Sequence, residues 1–363
     1  MPDKIKDLLV RGLEEEVYPG AVLLVAGGED IVFFHNVGNR ALFPKPLPME
    51  KETIFDLASL TKPLGTTLAI MKLVDEGLLD LDKAISSLIR PFPWKDKANL
   101  TPRLVLNHSA GLPDWKPFYL ELIEYPLEER KPVLRRLIME EPLHGEPETV
   151  SLYSDLGFML LEWVIEIVTA KDLSSFLNSK FYHPLRLKNL YLDQITTDPP
   201  QKKELFAATE YCPWRKKIIQ GHVHDENAYA LGGYSGHAGL FGTALDIFTL
   251  TTALIKIYHG DSAGPLKTKT VRTFFSRQEI APGSSWALGW DTPSEQNSSS
   301  GNCFSPGSVG HTGFTGTSVW IDLQKNITVL FLTNRVHPSR SNEKIKDFRP
   351  RLHNLIMQEF VYG

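Results

Sequence analysis

Cysteine is nearly missing from this chain: Cys212 and Cys303 are the only two in 363 residues. Two widely separated thiols make no disulfide framework, and neither has a second cysteine nearby to form a C-x-x-C redox or zinc pair. Both are expected to be reduced, structural thiols. Long apolar runs are also missing. No segment approaches the roughly 20 apolar residues of a membrane span, and the opening Met1-Pro2-Asp3-Lys4-Ile5-Lys6-Asp7 lacks the unbroken apolar stretch of a signal peptide. The sequence as written points to a cytoplasmic protein; a periplasmic one would need a leader ahead of Met1. Basic charge is in no excess either. A formal net charge of −4 at pH 7, with no basic run, gives no electrostatic case for nucleic acid. There are no internal repeats, and Asn297-Ser298-Ser299-Ser300-Gly301 reads as a short flexible loop, not a domain linker.

What is present is ordinary in bulk: 42% hydrophobic and 23% charged residues, in a chain long enough for one large two-lobed domain or two smaller ones. Leu8, Leu9, Leu13 and Val17 follow helical spacing, and Pro19-Gly20 stops that helix. Residues 21–26 and 31–34 are apolar runs around Gly27-Gly28-Glu29-Asp30, a hairpin signal. A long helix is expected from near Ser59, with Pro63 in its first turn, Leu64, Leu68 and Met71 as its buried stripe, and Gly77 as its stop. From Leu78 to about Gly239 the pattern is mostly helical with long loops. Thr101-Pro102 marks a helix start, and the charged, proline-punctuated stretch from Pro113 to Thr149 is expected to cover a cleft. Residues 318–322 and 327–333 are strand candidates, and a last helix near 350–360 puts Leu352, Leu355, Ile356 and Phe360 on one face. Strands at both ends around a helical middle suggest an antiparallel sheet built from both termini. We therefore expect an α+β protein of one domain over 1–363, with an α/β lobe from 1–77 and 240–363 and a helical lobe from 78–239.

Three short motifs follow one another along the chain: Ser59-Leu60-Thr61-Lys62, Tyr153-Ser154-Asp155 and His311-Thr312-Gly313. Ser-x-x-Lys on a helix sets both side chains on one face, about a turn apart. A serine hydroxyl is a poor nucleophile until something removes its proton. Lysine does so only if its pKa falls well below roughly 10.4, through burial or nearby positive charge. A tyrosine beside a cationic lysine can be held as phenolate or can shuttle protons. Each motif is weak alone: Ser341 and Lys344 fit the first spacing in what reads as a loop and helix cap, and Tyr191-Leu192-Asp193 fits the second by chance.

In this order, and with the flanking Phe55-Asp56-Leu57-Ala58, the motifs resemble those of β-lactamases and penicillin-binding proteins, most closely the class C β-lactamase-like serine hydrolases. Residues 106–113 (LNHSAGLP) resemble that family's loop leading to the cleft, and residues 236–241 (GHAGLF) its turn into the helix after the active-site region, so the likeness runs from roughly Gly20 to Asn334. The resemblance implies a β-lactamase/transpeptidase-like fold: an antiparallel sheet flanked by helices, with an inserted mainly helical lobe. It implies Ser59 as nucleophile, Lys62 and Tyr153 as the proton-handling pair, and the amides of Ser59 and Phe314 as oxyanion donors. Asp155, His311, Thr312 and Gly313 would contact the substrate, joined by Asp225 and Glu226 from a His-Asp-Glu-Asn stretch that recurs in close relatives. No metal or organic cofactor is implied, and the partner would be a small ester, peptide or β-lactam.

Two departures bear on specificity. Aspartate at position 155 replaces the family's asparagine; it still accepts from Lys62 but donates no amide hydrogen, raises the lysine pKa and repels an anion. Histidine at 311 replaces lysine, and its unperturbed pKa of roughly 6.5 weakens any permanent attraction for a substrate carboxylate. Both tilt the expectation toward esterase or D-amino-acid peptidase activity over efficient β-lactamase activity. Two rivals remain open: a protein that binds penicillin or peptidoglycan fragments without turnover, and a metal hydrolase built on His222, His224, Asp225, Glu226 and His237.

Overall fold

The computed structural model describes residues 2–89, 93–195 and 202–362. Helix α1 (Pro2–Glu14) opens the chain and leads into β1 (Gly20–Gly27) and β2 (Asp30–Ala41), the hairpin expected around residues 27–30. Gly27 pairs with Asp30 across the turn, and Gly28 takes the left-handed φ of +61° that such a tight reversal needs. Then come β3 (Leu47–Pro48), β4 (Phe55–Asp56) and α2 (Leu68–Asp75). The middle of the chain carries α3 (Pro102–Leu106), α4 (Tyr119–Leu122), α5 (Leu127–Glu140), α6 (Asp155–Thr169) and α7 (Leu173–Leu177). It also holds short strands β5 (Tyr191–Leu192), β6 (Ala208–Cys212) and β7 (Lys217–Gln220), then α8 (Glu226–Ala230). After β8 (Leu240–Gly242) come α9 (Ala244–His259), α10 (Thr268–Phe275), β9 (Val309–Thr312), β10 (Ser318–Asp322), β11 (Ile327–Thr333) and α11 (Ile345–Met357).

Both ends of the chain build one six-stranded sheet, β3-β2-β1-β11-β10-β9, with every neighbouring pair antiparallel. Both faces of it are covered. On β1, Val22, Leu24 and Ala26 enter the main core beneath α2, α6 and α9, while Ala21, Leu23 and Val25 pack with Tyr18, Phe348 and Leu352 under α1 and α11. Strand β11 divides the same way, with Leu330 and Leu332 on one side and Val329 and Phe331 on the other. This is why the central strands read as unbroken apolar runs instead of alternating ones.

The helix from Ser59 is present but begins irregularly. Residues Ala58–Leu60 form a 3₁₀ turn and Lys62–Thr67 a π-helical turn before α2 becomes regular. Pro63 offers no N–H for an α-helical first turn. The turn is tied down from elsewhere: the buried Thr61 hydroxyl donates to the Ala58 carbonyl (2.6 Å) and accepts the Leu240 N–H (3.0 Å). Thr61→Val should therefore cost about 1–3 kcal/mol in equilibrium denaturant unfolding, because it strands the buried Leu240 amide with no change of shape. The last helix also starts earlier than expected, at Ile345, with Pro350 in its second turn; one lost backbone bond there is outweighed by burying Phe348, Leu352 and Ile356. Thr101 caps α3 with Pro102 in its first turn, as expected, and both cysteines are free. No described helix is long and apolar enough to cross a membrane.

Candidate active site

From Thr53 to Met71 every residue is buried except Ser59. The chain brings that one hydroxyl to the floor of a cavity of about 350 Å³ by a sharp turn in which Ala58 adopts φ +48°, a conformation that costs energy for a residue with a side chain. Asp56, beneath the turn, accepts the N–H of Ala58 (2.9 Å) and of His224 (2.6 Å), and so ties the Ser59 segment to the loop ahead of α8.

Lys62 lies directly behind Ser59 and is wholly buried. Its ammonium donates to Ser59 Oγ (3.2 Å), Asp155 Oδ1 (2.6 Å) and the His237 carbonyl (3.3 Å), and it sits 4.8 Å from the Tyr153 ring centre. Ser154 caps α6 through Gly157 N–H, which places Asp155 in the first turn of that helix facing Lys62. Burial alone would lower the lysine pKa, but the adjoining Asp155 carboxylate and Tyr153 outweigh it and hold Lys62 above its ordinary value. The low-pKa lysine that the motif by itself calls for is absent; the aspartate substitution acts as its charge requires. Burial also raises Tyr153, more than Lys62 lowers it, so at neutral pH the side chain is a phenol and not a phenolate.

The third motif ends β9 against the nucleophile turn. Thr315 and Thr317 hydroxyls donate to the carbonyls of Asp56 (2.8 Å) and Leu57 (3.1 Å). A Cβ on Gly313 would lie 2.5 Å from Leu57 O and inside contact distance of Thr317 Oγ1, so this glycine lets β9 close on the Ser59 turn. The next residue, Phe314, is anchored through its carbonyl by Arg335, whose Nε (2.9 Å) and Nη2 (2.6 Å) both donate to it. That clamp fixes the backbone on which the second oxyanion amide would sit.

The cavity brings together Ser59, Tyr153, Asp155, Asp225, Glu226 and Phe314, but His311, Thr312 and Gly313 do not line it. His311 lies behind the cavity wall. Its ring is buried among Tyr153 (6.0 Å between ring centres) and Trp286 (5.5 Å), and its Nδ1 lies 2.8 Å from the Thr312 carbonyl. Burial and the nearby Lys62 charge push its pKa down to about 3, so it is neutral and backs the tyrosine. Asp225 and Glu226 are in the wall but already engaged. Asp225 caps α8 and pairs with His237 Nε2 (2.9 Å), which more than offsets burial and holds its carboxyl well below the carboxylate range. Glu226 pairs with Arg340 at 2.5 Å.

Residues the motifs did not single out complete the wall: Asp114 and Trp115 from the stretch expected to cover the cleft, His224, His237 and Arg340. Behind Tyr153, His108 packs at 4.6 Å and accepts Ser154 N–H at Nδ1 (3.0 Å). His108 could have been noticed within the 106–113 segment; Arg340 has no local signal, because its role comes from a distant pairing with Glu210 and Glu226. The histidine set of the rival metal-hydrolase reading does not converge among the described residues. Among the described residues, the groups whose ligand atoms converge within 4.8 Å are Asp155, Asp225 and His237, and Glu210, Cys212 and Glu226; neither contains His222 or His224. The donor atoms of the first already serve Lys62 and one another, and both carboxylates of the second already hold Arg340.

Comparison with known proteins decides the family. The family model described as Beta-lactamase matches residues 5–351. The chain belongs to the beta-lactamase family. It is 32% identical over 350 residues to the N-acetylmuramyl-L-alanine amidase of Bacillus subtilis (strain 168), covering 88% of this chain and 78% of that one. It is 31% identical over 362 residues to a putative D-alanyl-D-alanine carboxypeptidase of Salmonella gallinarum (strain 287/91 / NCTC 13346), covering 90% and 81%. The octameric penicillin-binding protein homologue from Pyrococcus abyssi superposes with a TM-score of 0.73 at 22% identity, over 98% of this chain and 77% of that one. EstCE1, a hydrolase with promiscuous acyltransferase activity, does so with 0.72 at 22%, over 96% and 98%. The β-lactamase/transpeptidase-like fold and the serine hydrolase class follow from this membership.

Proposed function

We propose that this beta-lactamase-family hydrolase works through an acyl-Ser59 intermediate, in a class C-like arrangement with Lys62 and Tyr153 handling protons and the amides of Ser59 and Phe314 holding the oxyanion. The observation that carries the reading is a partly exposed serine hydroxyl on a cavity floor, 3.2 Å from a buried lysine. Ser59 Oγ attacks an ester or amide carbonyl, and Tyr153 or Lys62 returns the proton to the leaving group. Water then enters on the same side and releases the acid.

The surrounding charges favour a substrate with no carboxylate beside the scissile bond. Among the described residues, each cation at the cleft is already matched: Lys62 by Asp155, Arg340 by Glu210 and Glu226, and His237 by Asp225. His311, in the position of the family's lysine, is neutral. Nothing there greets a free C-terminus, and Asp114, Asp155, Asp225 and Glu226 repel one. Half-exposed Trp115 and Phe314 offer aromatic walls to an uncharged acyl or leaving group. An amidase or esterase fits this better than a carboxypeptidase or an efficient β-lactamase, and the Bacillus relative is named as an amidase.

The test pairs labelling with substrate choice. Intact-mass spectrometry after a fluorophosphonate probe should show one adduct, on Ser59. A D-alanyl-D-alanine peptide blocked as its C-terminal amide or methyl ester should be cleaved with kcat/KM at least about 10-fold above the free acid, as expected when about 1.4 kcal/mol of repulsion is removed. Preference for the free acid would overturn the specificity. A stable penicilloyl adduct without turnover of any substrate would replace a hydrolase by a binding protein.

A further inference from the structure

The three N–H bonds of the Lys62 ammonium all have partners: Ser59 Oγ at 3.2 Å, Asp155 Oδ1 at 2.6 Å and the His237 carbonyl at 3.3 Å. A lysine with all three hydrogens engaged presents no lone pair and donates to the serine it is meant to deprotonate. It becomes a base only by losing a proton, and the serine hydroxyl, the His237 carbonyl and the Tyr153 phenol, which also hydrogen-bonds it, are too weakly basic to take one. Asp155 is a carboxylate and lies at the shortest of the three distances. We propose that Asp155 is the proton acceptor of this active site: as Ser59 Oγ bonds to the substrate carbonyl carbon, its hydrogen passes to Lys62 Nζ while a hydrogen of Lys62 Nζ passes to Asp155 Oδ1.

The step balances without an outside reagent. The Ser59 O–H bond breaks and the Oγ–carbon bond forms. The carbonyl π pair moves to the oxyanion. Lys62 stays an ammonium and Asp155 becomes a neutral acid. When the oxyanion collapses and the leaving group departs, that group takes a proton back along Lys62 or through the Tyr153 phenol, and Asp155 is again a carboxylate. Attack of water on the acyl-serine repeats the same loop. Asp155 thus has a task that an asparagine cannot perform, although it occupies the family's asparagine position.

The groups around Lys62 are consistent with this route. Tyr153 is already protonated, and His108 and His311 are buried and neutral, each depressed by burial and by Lys62 itself. His237 is occupied by Asp225, which faces it from the N-terminus of α8. Asp155 is the one carboxylate in direct contact with the lysine. Lys62 and Asp155 therefore act as one proton-transfer unit, with the carboxylate as its acceptor.

This inference rests on Ser59 being the nucleophile. Its test is the pH dependence of fluorophosphonate labelling at Ser59, which needs no natural substrate, followed with kcat/KM for a neutral nitrophenyl ester from pH 4 to 10 on the whole protein. The wild type should lose reactivity only at pH values well below neutral. Asp155→Asn should move that acidic limb to higher pH by more than one unit, since the lysine must then discharge its proton to solvent, and Asp155→Glu should restore the low-pH limb. If Lys62 were instead a neutral base that Asp155 merely holds in place, the wild-type limb would lie in the alkaline range and Asp155→Asn would move it to lower pH. Either that result or an unmoved limb overturns the proposal. The wild-type limb decides even if the variant does not fold. Absence of any Ser59 label in the wild type would instead remove the reading of the site as a whole.

Discussion

Replacing Ser59 by alanine should lower turnover of an activated ester by about 10⁴-fold or more and abolish the fluorophosphonate adduct, the scale expected when the nucleophile of a coupled constellation is lost. The protein should melt close to the wild type. Ser59 is partly exposed, and with its hydroxyl the site loses one partner each of Lys62 and Tyr153, while Asp155 and the His237 carbonyl remain in place. Surface-like truncations of this kind stay within about 0.5 kcal/mol. Retention of more than about 1% of the rate, measured on protein free of wild-type contamination, would remove Ser59 from the mechanism; so large a residue is not expected from the oxyanion amides alone.

The second large effect falls on a residue without functional atoms. Gly313→Ala introduces a methyl group 2.5 Å from Leu57 O and against Thr317 Oγ1, where the Thr317 hydroxyl already bonds that carbonyl and the Gly313 N–H bonds Thr317 O (2.8 Å). Nothing there can yield by rotating a flexible side chain. Either β9 retreats from the nucleophile turn or the Thr317–Leu57 bond breaks. Overpacking of this kind costs about 1–3 kcal/mol. A displacement of an ångström between the nucleophile and the oxyanion donor costs about 10²-fold in rate. We therefore expect kcat/KM to fall by about 10²-fold with a lower melting temperature. Gly307→Ala serves as the control, because its nearest neighbour would be Gln324 Nε2 at 3.8 Å, and it should leave both quantities unchanged. Equal behaviour of the two variants would show that the closure of β9 on the turn does not matter.

Much of this was legible in one dimension because the signals were local. The hairpin at residues 27–30, strands β10 and β11, and the Thr101-Pro102 start of α3 follow from side-chain pattern and turn chemistry, and each is present. Where the pattern misled, a backbone detail had overridden it. The helix from Ser59 opens in 3₁₀ and π turns, the second of them holding Pro63, and Pro350 proved tolerable inside α11 once Phe348, Leu352 and Ile356 were buried around it.

For the site, the sequence alone determined the chemical cast: a Ser-x-x-Lys pair, a tyrosine, and the two substitutions, Asp155 and His311, with their charges. Only the tertiary structure decided what those charges do. A histidine's proton state depends on its burial, and His311 is closed behind Tyr153, so it is neutral and out of the cleft. A lysine's role depends on how many acceptors surround it, and contacts to Ser59 in its own turn and to Asp155 and His237 from two distant segments leave Lys62 a donor. Arg340, more than a hundred residues from either acid it binds, could not be placed from spacing at all. Proton affinity is set by desolvation and by charges a few ångströms away, and those distances exist only once the chain has folded.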